Sequence, residues 1–331
     1  MRWKPGVGIV MVCKQQEVIM EQPVPVSGSK GQRAFPVVSS GSLAAIAAYS
    51  IWGLFPLFFR LLDGVSPALI VVHRVIWSLV LVGLLLWARG RLGEVGAALS
   101  NRRTLKVLLL SSALLAVNWL VFIWAVAIHR VVDTSLGYFL NPLVNICLGM
   151  LFLRERQNPW QWLAIGLAVL ALVVQTVALG ELPVISLTLA LAFGFYGYLR
   201  KTVHVDSAPG FLIETIVMAP LALAYLAWLF LTQGPGPHAD PFLMGLLVLT
   251  GPITAGALLM FAFAARRLRL TTLGMIQYIA PTLQFVTAIW VFGETLSPVR
   301  LASFVLIWIS LVIYSLDSIA RQKQEKRKTH V

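Results

Sequence analysis

Three ionisable side chains sit where a membrane-spanning helix would give them no water. His73 and Arg74 lie inside VVHRVIWSLVLVGLLLW (residues 71–87), and Glu214 lies inside a second apolar run. Burying a charge at bilayer depth costs roughly 2.5–3.5 kcal/mol on insertion scales, so each of the three needs a reason. Arg74 is about seven residues into its run, roughly 10 Å deep at 1.5 Å per residue. Its guanidinium could bind an anionic group or gate an outer mouth from a cavity wall. Equally, it could snorkel outward or cap neighbouring carbonyls. His73 points about 100° away around a helix, so the two cannot both face one narrow cavity squarely. It reads either as a proton-responsive group or as a hydrogen-bonded packing histidine. Glu214, about five residues into its run, could couple transport to protons if it meets water. The alternative is a structural carboxylate bonded to a helix terminus.

Around these charges the sequence offers amides and rings at mid-span. Tyr49 and Trp52 stand one turn apart, Asn118 adjoins Trp119, and Tyr138 precedes Asn141 by one turn. Tyr196, Gln277 and Tyr278 complete the set. Amides in hydrocarbon need partners, so Asn118, Asn141 and Gln277 should face inward, as substrate ligands or as glue between helices. The rings could line a cavity or simply pack. Little else supports covalent chemistry. HRVVD (129–133) offers a His and an Asp without a neighbouring nucleophile, and all five Asp residues fall outside the centres of the apolar runs. No His–Glu zinc motif or phosphate-cradling glycine loop occurs, so no metal centre and no cofactor are expected. A polytopic membrane enzyme remains the rival to a carrier.

The 331 residues are 59% hydrophobic and 12% charged, with mean hydropathy +0.85. A soluble domain carries about 25% charge. The chain therefore reads as an all-α polytopic membrane protein. Cys13 and Cys147 have no metal or disulfide spacing and read as inert thiols. Residues 1–41, with scattered Pro, Gly, Ser, Gln and Lys, read as a disordered tail or an upstream start; 319–331 form a basic tail.

Ten runs approach the ~20 residues that cross a bilayer. They are Ser42–Leu62, Ala68–Ala88, Thr104–Ile128, Ser135–Leu153, Trp160–Leu179, Leu182–Leu199, Pro209–Leu231, Phe242–Ala265, Thr272–Phe292 and Pro298–Ser318. The sixth is short and rich in Gly and Tyr. Alternate connections hold seventeen Lys and Arg on one side against Arg60, Arg130 and Arg300 on the other. By the positive-inside rule both termini are expected in the cytoplasm. The +13 net charge thus reports orientation, and nucleic acid is not an expected partner.

The fourth run continues LGYFLNPLVNICLGMLFLRERQNPWQW and the ninth LGMIQYIAPTLQFVTAIWVFGETLSPVR. Pro142 is followed thirteen residues later by Glu155 and four later by Pro159. Pro281, Glu294 and Pro298 repeat that register, offset by 139 residues. SIWGLFPLFFR has a weaker echo in AFGFYGYLRK. A five-helix unit repeated once enters the membrane upside down the second time, the pattern of secondary transporters with a midplane site. Residues 42–180 and 181–318 are the expected copies. Arg74 and Glu214 would then mark outer and inner vestibules, and Pro142 and Pro281 would bend their helices around the cavity or fix a packing kink. Glu155 and Glu294 read as structural carboxylates pairing with arginines or loop amides.

HRVIWS, LGYFLNP with its following Glu, IETIVMAPLAL, and LGMIQYIAPTLQF with FGE resemble the RarD proteins. These are an EamA-type group within the drug/metabolite transporter superfamily. The resemblance spans about residues 42–318. It implies ten helices in two EamA repeats and a multi-pass carrier of the bacterial inner membrane. It also implies export of small metabolites, amino acids or drugs such as chloramphenicol. Small-molecule substrate, protons and the lipid bilayer are the expected partners of a monomer or homodimer.

Overall fold

A computed structural model describes residues 40–153, 157–265, 267–268, 273 and 275–329. Among them every regular element is helical. In chain order these are α1 (Ser40–Arg60), α2 (Pro67–Ala88), α3 (Leu92–Ser100), α4 (Arg102–Ala127), α5 (Val131–Leu153), α6 (Pro159–Leu179), α7 (Val184–Thr202), α8 (Ser207–Gln233), α9 (Pro241–Ala265), α10 (Ile279–Val286) and α11 (Pro298–Thr329). A 3₁₀ turn, Gly236–Ala239, joins α8 to α9, and a π-helical turn, Thr287–Val291, continues α10. Of the expected disordered tail, residues 1–39 lie outside those described, as do Glu155 and the last two residues, while Ser40 and Gly41 begin α1.

Eight helices are long and apolar enough to cross a membrane, and Val184–Arg200 and Ile279–Val291 are shorter apolar helices. Large apolar side chains such as Leu231, Trp290 and Leu221 are more than three-quarters exposed, which water would not tolerate over so wide a surface. The chain is a multi-pass membrane protein.

Two expected spans differ. The sixth starts later, at Val184, because Pro183 precedes the first helical turn. The ninth, expected over Thr272–Phe292, is not one continuous helix among its described residues. It is broken by a turn at Gln277–Tyr278 before α10 begins. Pro281 has no N–H for the Gln277 carbonyl four residues back. The Ala280 N–H takes that carbonyl instead, at 3.2 Å, tightening the backbone. The second copy also has six residues between its Leu-Gly and its proline where the first has four. The turn absorbs the excess. The short helix α3 occupies the connection between the second and third runs.

Small residues and hydroxyls set the packing. α6 and α11 run antiparallel along a seam of three contacts. Asn158 Nδ2 donates to Asp317 (2.6 Å), Ser310 Oγ to the Ala164 carbonyl (2.7 Å), and Ser303 Oγ to the Ala171 carbonyl (3.1 Å). Gly137 of α5 lies so close to α7 that a Cβ there would sit 2.8 Å from the Ser186 carbonyl. Ser186 Oγ in turn donates to the Asp133 carbonyl at 2.7 Å. The principal helix neighbours are α6–α11, α5–α7, α2–α9, α1–α9, α2–α8, α4–α7, α1–α10, α5–α10 and α4–α8. α4 is the shared neighbour, with α1, α2, α5, α7 and α8 all against it.

Candidate functional site

Arg74 is positioned by α2, whose first turn starts at Pro67 with φ preset for a helix. Its side chain is 4% exposed. The guanidinium carbon lies 4.1 Å from the centroid of Trp119 (α4), 5.1 Å from Phe55 and 5.8 Å from Phe59 (α1). Arg74 therefore does not snorkel to a surface. Cation–π contacts that are desolvated contribute about 2 kcal/mol each, the same order as the cost of placing the charge at this depth. Rings supply no hydrogen-bond acceptors along the N–H directions. Among the described residues the Arg74 Nε–H has no partner, and no carboxylate lies within 4.0 Å of the guanidinium.

Beside this cage, Tyr138 (α5) donates its hydroxyl to Asn118 Oδ1 at 3.2 Å, and Asn118 Nδ2 reaches the Leu189 carbonyl of α7 at 3.4 Å. Asn141, 8% exposed, leaves its Oδ1 without a donor. Phe193 stands between the rings of Tyr138 and Tyr196, with centroids 6.1 and 5.9 Å away.

Tyr196 leads to the second buried charge. Its hydroxyl donates to Glu214 Oε2 at 3.3 Å, while Ser111 of α4 donates to Oε1 at 2.6 Å. Arg200 Nε lies 3.7 Å from Oε1. Arg200 also donates through Nη2 to the Asp206 and Ser207 carbonyls, which fixes the α7–α8 turn. Glu214 is fully buried, so it does not meet water in this conformation. Its partners are the side chains of Ser111, Tyr196 and Arg200 rather than a helix terminus, and in the sequence Arg200 reads only as an orientation charge.

His73 points away from the cage, as its helical position requires. Its Nδ1 accepts from Trp77 Nε1 at 3.2 Å, and its Nε2 meets Nε2 of His238 at 2.9 Å. His238, in the turn after α8, packs on Phe230 with centroids 4.6 Å apart and reaches the Pro235 carbonyl. Tyr49 and Trp52 form a separate cluster, 5.3 Å from each other and 5.9 and 5.6 Å from Phe261 of α9. Tyr278 stacks on Phe139 (6.4 Å), and Gln277 sits partly exposed in the turn before α10.

Two couplings between helices escaped the sequence. Pro56 leaves the Trp52 carbonyl of α1 without its helical donor, and Gln284 of α10 supplies one, Nε2 to O at 3.3 Å. Ser135 of α5 donates to the Pro281 carbonyl at 2.8 Å. Glu294 does what a helix-end carboxylate should. Its two oxygens accept the first N–H groups of α5, from Val131 (2.6 Å) and Val132 (2.8 Å). Burial pushes the Glu294 carboxyl above the ordinary carboxylate range, and the two amides oppose that. The rival pairing of His129 with Asp133 does not form: His129 faces Arg60 at 2.9 Å, and Asp133 faces Arg130 at 2.6 Å. Among the described residues no cluster of three or more metal-ligating side chains occurs.

Comparison with known proteins settles the family. Residues 39–177 match the EamA-like transporter family. A protein of Vibrio cholerae called an uncharacterized transporter is 42% identical over 280 residues, covering 84% of this chain and 93% of its own. Protein RarD of Salmonella typhimurium is 42% identical over 288 residues, covering 86% and 97%. The chain belongs to the RarD family of EamA-type transporters. A crystal structure 17% identical in sequence superposes with a TM-score of 0.54 over 86% of this chain and shares its fold. Family membership makes the chain a membrane transporter; the buried charges are then candidates for what it handles.

Proposed function

We propose that the chain is a secondary-active carrier that exports small metabolites, amino acids or drugs such as chloramphenicol by alternating access. Its ten crossing segments form two inverted copies, residues 42–180 and 181–318, with both termini and the basic tail 319–331 in the cytoplasm of a bacterium and the helices in its inner membrane. The observation that carries this reading is the pairing of helices. Exchange α1 with α7, α2 with α8, α4 with α9, α5 with α10 and α6 with α11. The neighbour pair α1–α10 then becomes α7–α5, α1–α9 becomes α7–α4, and α2–α9 becomes α8–α4, while α6–α11 and α2–α8 map onto themselves. Side chains follow: Gly53 packs on Leu283 in one copy and Gly194 on Val144 in the other, and Leu283 and Val144 are 139 residues apart. A two-fold axis in the membrane plane produces such pairing.

Arg74, Trp119, Asn118, Tyr138, Asn141 and Tyr196 would line the substrate path between the copies, with Tyr49, Trp52, Gln277 and Tyr278 on its flank. Glu214 would carry the coupling proton once rearrangement brings it to water. Pro142 and Pro281 would let their helices flex, and His73 would hold the turn after α8. Counterflow in proteoliposomes tests the carrier: labelled solute should accumulate transiently against an unlabelled internal pool. Its absence for every solute that binds would remove alternating access. Modification of single cysteines at residues 90 and 320 should come from the same face; reaction from opposite faces would remove the inverted pairing.

A further inference from the structure

We propose that Arg74 is the anchor of an anion subsite, and that the solutes this carrier selects are organic monoanions with an apolar or aromatic body. The proposal rests on the carrier reading above and narrows its cargo to solutes with a carboxylate, which leaves out neutral drugs such as chloramphenicol. Three observations carry it. First, Arg60, Arg91, Arg130 and Arg200 each have an acidic partner within 4.0 Å, whereas Arg74, the most buried of these arginines, has none among the described residues. Second, its surroundings are rings from two helices, so the charge is held by faces of aromatic density that leave the planar N–H edge unused. Third, the Nε–H on that edge is buried with no acceptor.

A carboxylate completes this arrangement in a way water or a neutral amide cannot. One oxygen would accept from Nε and the other from the adjacent Nη, the side-on fork that planar guanidinium and carboxylate share. The rings of Trp119, Phe55 and Phe59 would meet the apolar body attached to it. Glu214 does not compete for the guanidinium, since its oxygens are engaged by Ser111 and Tyr196 and lie beside Arg200. Opening a space beside Arg74 requires α1 and α4 to part. Such a separation fits a site that forms in one conformation of a cycle and is dry in another.

The test compares 3-phenylpropionate with its uncharged amide, 3-phenylpropionamide, on full-length protein in lipid nanodiscs. Ligand-dependent thermal stabilisation and direct calorimetric binding are the readouts. The acid should bind at least about ten-fold tighter than the amide, as loss of a bidentate charged contact predicts. Arg74→Gln should erase that preference, and Arg74→Lys should keep a charge preference while weakening binding. Equal binding of acid and amide by the parent protein, or binding of neither, overturns the proposal without any variant needing to fold. Where Arg74→Gln does fold and still prefers the acid, the anchor is elsewhere and the proposal fails. Counterflow separates this from the carrier reading. Exchange of neutral solutes with no acid preference leaves a carrier without this subsite, and acid binding with no counterflow leaves the subsite without a carrier.

Discussion

The ion pair between Arg200 and Glu214 offers the sharpest check on how the buried charges are held. Glu214 is fully buried, and Arg200 is 14% exposed on its side chain. Replacing Glu214 with Leu strands the guanidinium beside Ser111 and Tyr196. Replacing Arg200 with Met strands a carboxylate that keeps only the two hydroxyl donors. Breaking a buried pair from one side costs about 3–5 kcal/mol, because the remaining charge is uncompensated. The Glu214→Leu change belongs at the lower end, since Arg200 Nη2 keeps its bonds to the Asp206 and Ser207 carbonyls. Arg200→Met belongs at the upper end, since the carboxylate has no exposure to relieve it. The double change removes both charges together, and such replacements are often nearly neutral. The expected coupling is therefore at least about 2 kcal/mol, far above the ~0.5 kcal/mol within which independent sites add. Unfolding by sodium dodecyl sulfate titration in mixed micelles reads all four proteins of the cycle. If the two single costs simply add in the double variant, the charges do not hold one another and the account given for Glu214 is wrong.

Other consequences are as direct. Gln284→Leu should cost about 1–3 kcal/mol by stranding the Trp52 carbonyl, and much less in a Pro56→Ala background, where the new backbone N–H reaches that carbonyl; equal costs in both backgrounds would count against the bond. Gly137→Ala should destabilise by about 1–3 kcal/mol by pressing on the Ser186 carbonyl, whereas Gly166→Ala, with open space around it, should be neutral or slightly stabilising in the same unfolding assay. Burial raises the Glu294 carboxyl in the folded state. Its contribution is thus fully present below the ordinary value of about 4.3 and declines as pH rises through the raised one. Glu294→Gln should flatten the slope of stability against pH in that window; an unchanged slope would assign it to another group.

Much of the helical plan was legible because apolar runs of about twenty residues have few other uses. The break before α10 was also written in the chain, in the two extra residues between Gly274 and Pro281, but a proline inside an apolar run looks the same whether the helix bends or stops. The partners of the buried charges were not legible. Arg200 carried a topological signal as one of many basic loop residues, and that signal masked its contact with a residue fourteen positions on. His238 meets His73 across 165 residues, and Gln284 meets Trp52 across 232. Spacing along one chain says nothing about such meetings. Phe55 and Phe59 were visible only as part of a weak internal echo, whereas in the fold they are two of the three walls around Arg74.

Helix pairs that map onto themselves carry a consequence for descent. If one five-helix ancestor met a second copy of itself through α6–α11 and α2–α8, each contact at those meetings occurred twice, residue i of one copy on j of the other and j on i, as Ser310 on Ala164 and Ser303 on Ala171 do here. A change at one position then altered both contacts at once. The two contacts can differ only once the copies are joined in one gene: Asn158 bonds Asp317, whereas the residues 139 positions from them are Ser297 and Ala178.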